Sequence, residues 1–174
     1  MSIKVISETK IVNGDIEKAL SFVSFSIERD SLYIFDSKNK VYLRTDNECI
    51  IRTDLEKPIS FSPISKECIV VSHAGLLRSF VSSLRRNNIF FTLRSVSLES
   101  EGKKMFVEAV VNNQLLINEK VLYFKIFLIN IYSTEMPIQL NLAIGNQWTC
   151  FSLAEFSIKR SETPDRKGKI LKGT

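Results

Sequence analysis

Glu119-Lys-Val-Leu-Tyr-Phe-Lys-Ile-Phe-Leu-Ile-Asn-Ile-Tyr132 is the stretch on which the fold turns. Its odd positions carry Val121, Phe127, Ile129 and Ile131, and its even positions carry Leu122, Phe124, Ile126 and Leu128. A strand with one wet face would alternate apolar with polar, so this segment reads as a central strand, or a strand pair, buried on both sides. Lys125 and Asn130 interrupt the run. A helix crossing the hydrocarbon core needs ~20 apolar residues, so the segment is not read as membrane-spanning.

On either side the pattern stays β-rich. Upstream, Ile89–Leu98 and Lys104–Val111 flank Glu99-Ser-Glu-Gly-Lys103, a hairpin loop carrying Gly102. Downstream, Ile138, Leu140, Leu142 and Ile144 alternate with Gln139, Asn141 and Ala143, which predicts a strand half open to water. Gly145-Asn146 turns the chain into a last strand around Trp148–Phe151, and Phe156-Ser-Ile158 ends the core.

Before this β-rich heart lies the clearest helix, from about Ala74 to Arg86. Leu76, Leu77, Phe80, Val81 and Leu84 fall in one arc at 100° per residue, and Arg78, Ser79, Ser82, Ser83, Arg85 and Arg86 fill the other. Ser72 is placed to cap it and Asn87-Asn88 to stop it. Nearer the N-terminus, Ile3–Ile11 reads as a strand broken at Asn13-Gly14. Ile16, Ala19, Leu20 and Val23 have helical spacing behind an Asp15 cap, though the same residues also read as a strand running on through Phe25 and Ile27. Short β-type runs follow at Ser31–Phe35, Lys40–Arg44, Cys49–Thr53 and Glu67–Ser72, separated by turn-formers such as Asp36-Ser-Lys-Asn39 and Asp46-Asn47. Pro58 and Pro63 mark a loop or an edge strand, because proline cannot donate a ladder hydrogen bond.

The expected fold is α+β: a mostly antiparallel sheet with two amphipathic helices packed on it, in one domain over 1–158, followed by a disordered basic tail over 159–174. The chain of 174 residues is too short for two full domains, and 44% apolar against 25% charged residues excludes wholesale disorder. Charge is unevenly spread. The tail holds Lys159, Arg160, Arg166, Lys167, Lys169 and Lys172 against Glu162 and Asp165, six against two, so it carries +4 of the net +5. A cationic segment on a near-neutral body suits polyanions: nucleic-acid phosphates or anionic lipid head groups. Arg78, Arg85 and Arg86 on the exposed helix face, with Arg94 beside them, make a second expected basic patch. The ordinary reading of both features is a solvated, solubilising surface.

Catalytic chemistry is not visible. His73 is the only histidine, set between Ile69-Val-Val-Ser72 and the Ala74 helix, where a polar turn residue is the simplest reading. Cys49, Cys68 and Cys150 form no CxxC, sit in apolar runs, and read as buried, reduced thiols of an intracellular protein. With one histidine they make no structural zinc site, and no Walker A or GxGxxG spacing occurs. No cofactor, metal or small-molecule substrate is expected. The first ten residues hold no signal-peptide h-region, which with the thiols points to the cytosol. Most of the 12 Phe fit core packing; Phe61, flanked by Pro58 and Pro63, is the one placed to insert into a membrane interface or a partner's groove.

The order of elements resembles that of rhabdovirus matrix proteins, in particular the short ones of plant-infecting members. An opening strand (Ile3–Ile11) and helix (Asp15–Phe22) are followed by the helix Leu76-Leu-Arg-Ser-Phe-Val-Ser-Ser-Leu-Arg-Arg86, which feeds an antiparallel sheet with the long apolar strand Val121–Ile131. The likeness covers about residues 1–158. It implies a non-enzymatic protein that self-associates, condenses the viral nucleocapsid and bridges it to an anionic membrane, peripheral in the host cytoplasm and present in the virion. Unlike the animal-virus members, this sequence has no Pro-Pro and carries its basic segment at the C-terminal end. Two alternatives stay open: a β-rich viral movement protein binding single-stranded RNA, and a non-enzymatic adaptor of cellular origin.

Overall fold

The structure, a computed structural model, describes residues 7–117, 119–133, 136–146 and 150–158. Within them the α+β expectation holds, with the strands divided between two sheets. β1 (Ser7–Ile11), β5 (Phe91–Glu99), β6 (Lys104–Ile117), β7 (Lys120–Ile131), β8 (Ile138–Gly145) and β9 (Cys150–Ile158) form a six-stranded sheet in the order β1-β5-β6-β7-β8-β9. β2 (Ile27–Asp36), β3 (Val41–Arg52) and β4 (Ile59–Ile64) form a three-stranded sheet in chain order. All neighbours are antiparallel.

Two helices cover one face of the larger sheet. α1 (Ile16–Val23) begins where Asp15 Oδ1 accepts the Lys18 N–H at 2.9 Å, and it buries Ala19, Leu20 and Val23. α2 (His73–Arg86) begins where Ser72 Oγ accepts the Gly75 N–H at 3.1 Å, and it buries Leu77, Phe80, Val81 and Leu84. These side chains meet Leu93, Val96 and Leu98 of β5, Met105, Val107 and Ala109 of β6, and Ile126 and Leu128 of β7. Leu93 and Val96 are three apart yet share a face, because the register shifts between Leu93 and Ser95, as an inserted residue requires.

The sequence marks three local features that the structure draws differently. Asp46-Asn47 is not a turn between strands. β3 runs through it, and the pairing jumps from Ser31↔Glu48 to Tyr33↔Arg44, with the Thr45 hydroxyl donating to the Leu32 carbonyl at 3.0 Å inside the bulge. Glu67–Ser72 is not a strand. The carbonyls of Lys66 and Cys68 accept from the Arg29 guanidinium at 3.0 and 3.2 Å, so a side chain takes the place of a ladder. Glu119–Tyr132 is one strand, but only its second half, from Lys125 on, is largely buried; Lys120 and Val121 are exposed. The proline-flanked segment is the edge strand β4. Trp148 and the 159–174 segment lie outside the described residues.

A buried polar cluster on the large-sheet side sets the Tyr132 ring against which the small sheet packs. His73, Asn130 and Tyr132 are all 1% exposed or less. The Gly102 carbonyl lies 2.8 Å from His73 Nε2 and can only accept, so that nitrogen carries the proton. Nδ1 then accepts from Asn130 Nδ2 at 2.8 Å, and the same amide donates to the Val71 carbonyl. Tyr132 stacks on His73 at 4.4 Å and on Phe61 at 5.5 Å, while its hydroxyl accepts the His73 backbone N–H. Around Tyr132 sits the small sheet's core: Ile50, Ile64 and Cys68, with Phe25, Ile27, Phe61 and Val70 against them.

Arg52 adds a clamp from outside. Its guanidinium lies 4.1 Å from the Phe25 ring, grips both Asp54 carboxylate oxygens, and donates to the Glu101 carbonyl at 2.7 Å. The Arg52 hydrogen bonds hold the Asp54 carboxyl below its ordinary 3.8. This contribution is present above that value and fades as the pH falls through the lowered one.

Gly102, in the 3-10 turn Ser100–Gly102, has φ +95°. A Cβ there would stand 2.8 Å from Phe25 Cζ and 2.9 Å from Arg52 Nη1. Gly102→Ala is expected to lower unfolding stability by about 2 kcal/mol or more, from left-handed strain plus the clash. Chemical denaturation of the two chains checks it, and an unchanged midpoint would remove Gly102 from the junction.

Candidate interaction surfaces

The arginines singled out on the sequence come together. Arg78, Arg85 and Arg86 are exposed on α2, whose fourteen residues include no carboxylate, and among the described residues no acid pairs with any of the three. Arg85 and Arg86 also occupy the last turn, where the helix dipole favours cations. Arg94 does not join them. The bulge at Leu93–Ser95 sends it to the opposite side of the sheet, where Nη1 lies 3.7 Å from Glu108. Lys159, Arg160, Arg166, Lys167, Lys169 and Lys172 lie outside the described residues.

Phe61 belongs to β4 rather than to a loop. Its half-buried ring lies nearly parallel to Tyr132, with a 9° interplanar angle, and packs against the small core. Inserting it elsewhere would open that core. His73 is likewise enclosed, with both ring nitrogens committed to Gly102 and Asn130. Cys49 and Cys68 are buried and free, whereas Cys150 is exposed.

What the sequence reading passed over is how much apolar surface stays uncovered. The distal halves of β2 and β3 form a two-stranded arm with Tyr33, Ile34, Phe35, Val41, Tyr42 and Leu43 all exposed, Tyr42 at 73%. β4 stops pairing at Glu48, so among the described residues no third strand covers the arm. Its turn is fixed by Asp36, which accepts the Asn39 side-chain amide at 2.7 Å and the Lys38 N–H at 2.9 Å. The Asn39 bond, then those backbone N–H groups, hold the Asp36 carboxyl below its ordinary value. A second arm, the far end of β6 and β7, exposes Leu115, Leu116, Ile117 and Val121. The third region is the edge strand β9, with Phe151, Leu153, Phe156 and Ile158 exposed.

Two cavities are present on the described surface. One, of ≈ 430 Å³, is polar and lined by Asn47, Ser62, Ser65, Lys103 and Ser133. The other, of ≈ 320 Å³, lies on the helix-free face of the large sheet between Phe106, Phe127, Ile129, Glu108 and Asn141. Glu108 there holds the buried Lys125 ammonium at 3.4 Å, and Asn141 Oδ1 is buried without a partner. Among the described residues no cluster of three metal-ligating side chains occurs, and no helix is long and apolar enough to cross a membrane. The chain matches no family model, no curated protein and no solved structure.

The buried cluster carries its own test. Asn130→Leu removes the amide that donates to His73 Nδ1 and to the Val71 carbonyl, with an expected cost of about 2–4 kcal/mol. Thermal unfolding reads it, and a loss of only a few tenths would mean that these hydrogen bonds do not hold the cluster together.

Proposed function

We propose that this chain is a non-enzymatic assembly protein that self-associates through its uncovered apolar strands and engages a polyanion through basic surfaces. The observation carrying this reading is the apolar surface on the two arms and β9. A two-stranded ribbon exposed on both faces is marginal in water, and contiguous apolar patches of this size mark interaction sites. The arginine face of α2 supports the second half: three cations, none paired with an acid among the described residues, on a helix without a carboxylate. The basic 159–174 segment adds a net +4 by composition.

This is the behaviour of a matrix-type protein, which coats a nucleocapsid on one side and an anionic membrane on the other, peripheral in the host cytoplasm and then in the virion. The movement-protein reading has an observation of its own. The β2–β3 arm sets Tyr33, Phe35 and Tyr42 beside Lys38, Lys40 and Arg44, an aromatic and cationic pairing on which unstacked bases sit.

Both readings meet the same assay: binding of the full chain to anionic liposomes and to single-stranded RNA, at low and physiological salt. The variant Arg78→Glu/Arg85→Glu/Arg86→Glu is expected to keep its fold and to lose about tenfold or more in affinity, with a shallower salt dependence. Preferred liposome binding favours the matrix reading, and preferred RNA binding the movement reading. Unchanged affinity in the variant returns the helix face to an ordinary solvated surface.

A further inference from the structure

A sheet edge is an unpaired row of N–H and C=O groups that takes up any strand offered to it. The described edges are guarded unequally. β1 places Glu8 and Lys10 within five residues, β4 carries Pro63, and β2 sets Glu28, Arg29 and Asp30 along its first half. β9, Cys150-Phe-Ser-Leu-Ala-Glu-Phe-Ser-Ile158, has no proline and one charge in nine residues. Its pairing sets Phe151 opposite Ile144, Phe156 opposite Leu140 and Ile158 opposite Ile138. Those three therefore share the helix side of the sheet yet remain more than half exposed, outside the core that α1 and α2 close.

We infer that β9 pairs antiparallel with β9 of a second copy, joining two six-stranded sheets into one. The inference rests on the self-association in the reading above and names its contact. An open ladder calls for a strand, and an apolar strand calls for an apolar partner. The chain's own residues after β9 are a poor fit by composition, with six cations, Pro164, Gly168 and Gly173 against the single apolar pair Ile170-Leu171. A second β9 fits itself. An axis through Phe156 sets that ring against its counterpart, Ala154 against Ile158 and Glu155 against Ser157. The apolar side chains of the paired stretch, Ala154, Phe156 and Ile158, then stay on the helix side and no like charges oppose. In this register the apolar side chains that the pairing covers are chiefly Phe156 and Ile158, roughly 250 Å² of exposed area per copy, so the contact is small and the backbone ladder carries much of it. Pairing of this kind closes at two, so larger assemblies must draw on the arms.

Sedimentation of the full chain at micromolar concentration tests it. Phe156→Glu/Ile158→Glu is expected to weaken dimerisation by about a hundredfold or more, since each change counts twice across the axis. Ser157→Glu, at an exposed position with no packing to lose, sets a second carboxylate against Glu155 across the axis, is expected to act in the same direction, and guards against a folding artefact. Tyr42→Ser/Leu116→Ser, on the arms, is expected to leave the dimer intact while removing larger species. A dimer that survives both β9 variants overturns the inference and leaves self-association standing. A chain that is monomeric throughout overturns both, while its liposome and RNA binding still report on the polyanion half separately.

Discussion

The imidazole of His73 is held by a hydrogen bond at each ring nitrogen. Its Nε2–H donates to the Gly102 carbonyl that ends the Ser100–Gly102 turn, and its Nδ1 accepts from the Asn130 side-chain amide of β7. Its backbone N–H goes to the Tyr132 hydroxyl. One residue thus ties the start of α2, the β5–β6 connection and the end of β7 to the ring around which the small sheet packs. An apolar residue of equal volume would fill the space without fixing directions. Hydrogen bonds in a water-excluded site have a narrow geometric tolerance and leave costly unpaired groups when broken. The hydrogen bonds thus fix the Tyr132 ring on the large-sheet side, and the small sheet is placed against that ring by packing, with the Arg52 hydrogen bond to the Glu101 carbonyl across the junction.

Strand lengths then decide what stays exposed. The small sheet is anchored only at the end near Tyr132, and β4 is half as long as β3, so the remainder of β2 and β3 extends without a third strand or a covering layer. The large sheet repeats the pattern. β5 ends its pairing with β6 at Val111 and β8 ends its pairing with β7 at Tyr123, so the tips of β6 and β7 run on alone. Apolar residues at those tips forgo the burial that about 25 cal/mol per Å² would reward. Tyr33, Phe35, Tyr42 and Leu116 stand there uncovered all the same, which is why the arms are read as contact surfaces.

The helices were legible because each local signal agreed: 3.6-residue periodicity, Ser72 and Asp15 as caps, basic residues at the C-terminal end of α2. The existence of most strands was legible too, from β-branched and aromatic runs. Which strand lies beside which, and how far each is covered, was not. Both depend on partners distant in sequence. Asp46-Asn47 has the composition of a turn and forms a bulge, because Leu32 opposite it is also irregular. Ile69-Val-Val71 has the composition of a strand, but Arg29 satisfies carbonyls on its N-terminal side. Phe61 lies between prolines, as a loop residue would, and the ring that claims it is seventy residues away. An apolar side chain in a strand reads as core from sequence alone, and in the two arms and β9 the exposed side chains depart from that reading.

The contacts proposed for this chain reinforce one another geometrically. Antiparallel strands joined edge to edge are related by a two-fold axis perpendicular to the sheet, which keeps the same face of both sheets on the same side. The helix layers of two copies joined through β9 would therefore point one way, and with them Arg78, Arg85 and Arg86 of each. A monomer offers three exposed arginines on this helix, a modest hold on any polyanion in physiological salt. A dimer offers two such groups on one side, and binding of the second is then an intramolecular event at high effective concentration. Polyanion binding and self-association are in this arrangement linked: an extended anionic surface that engages both copies favours the dimer by the same free energy with which the dimer favours the surface.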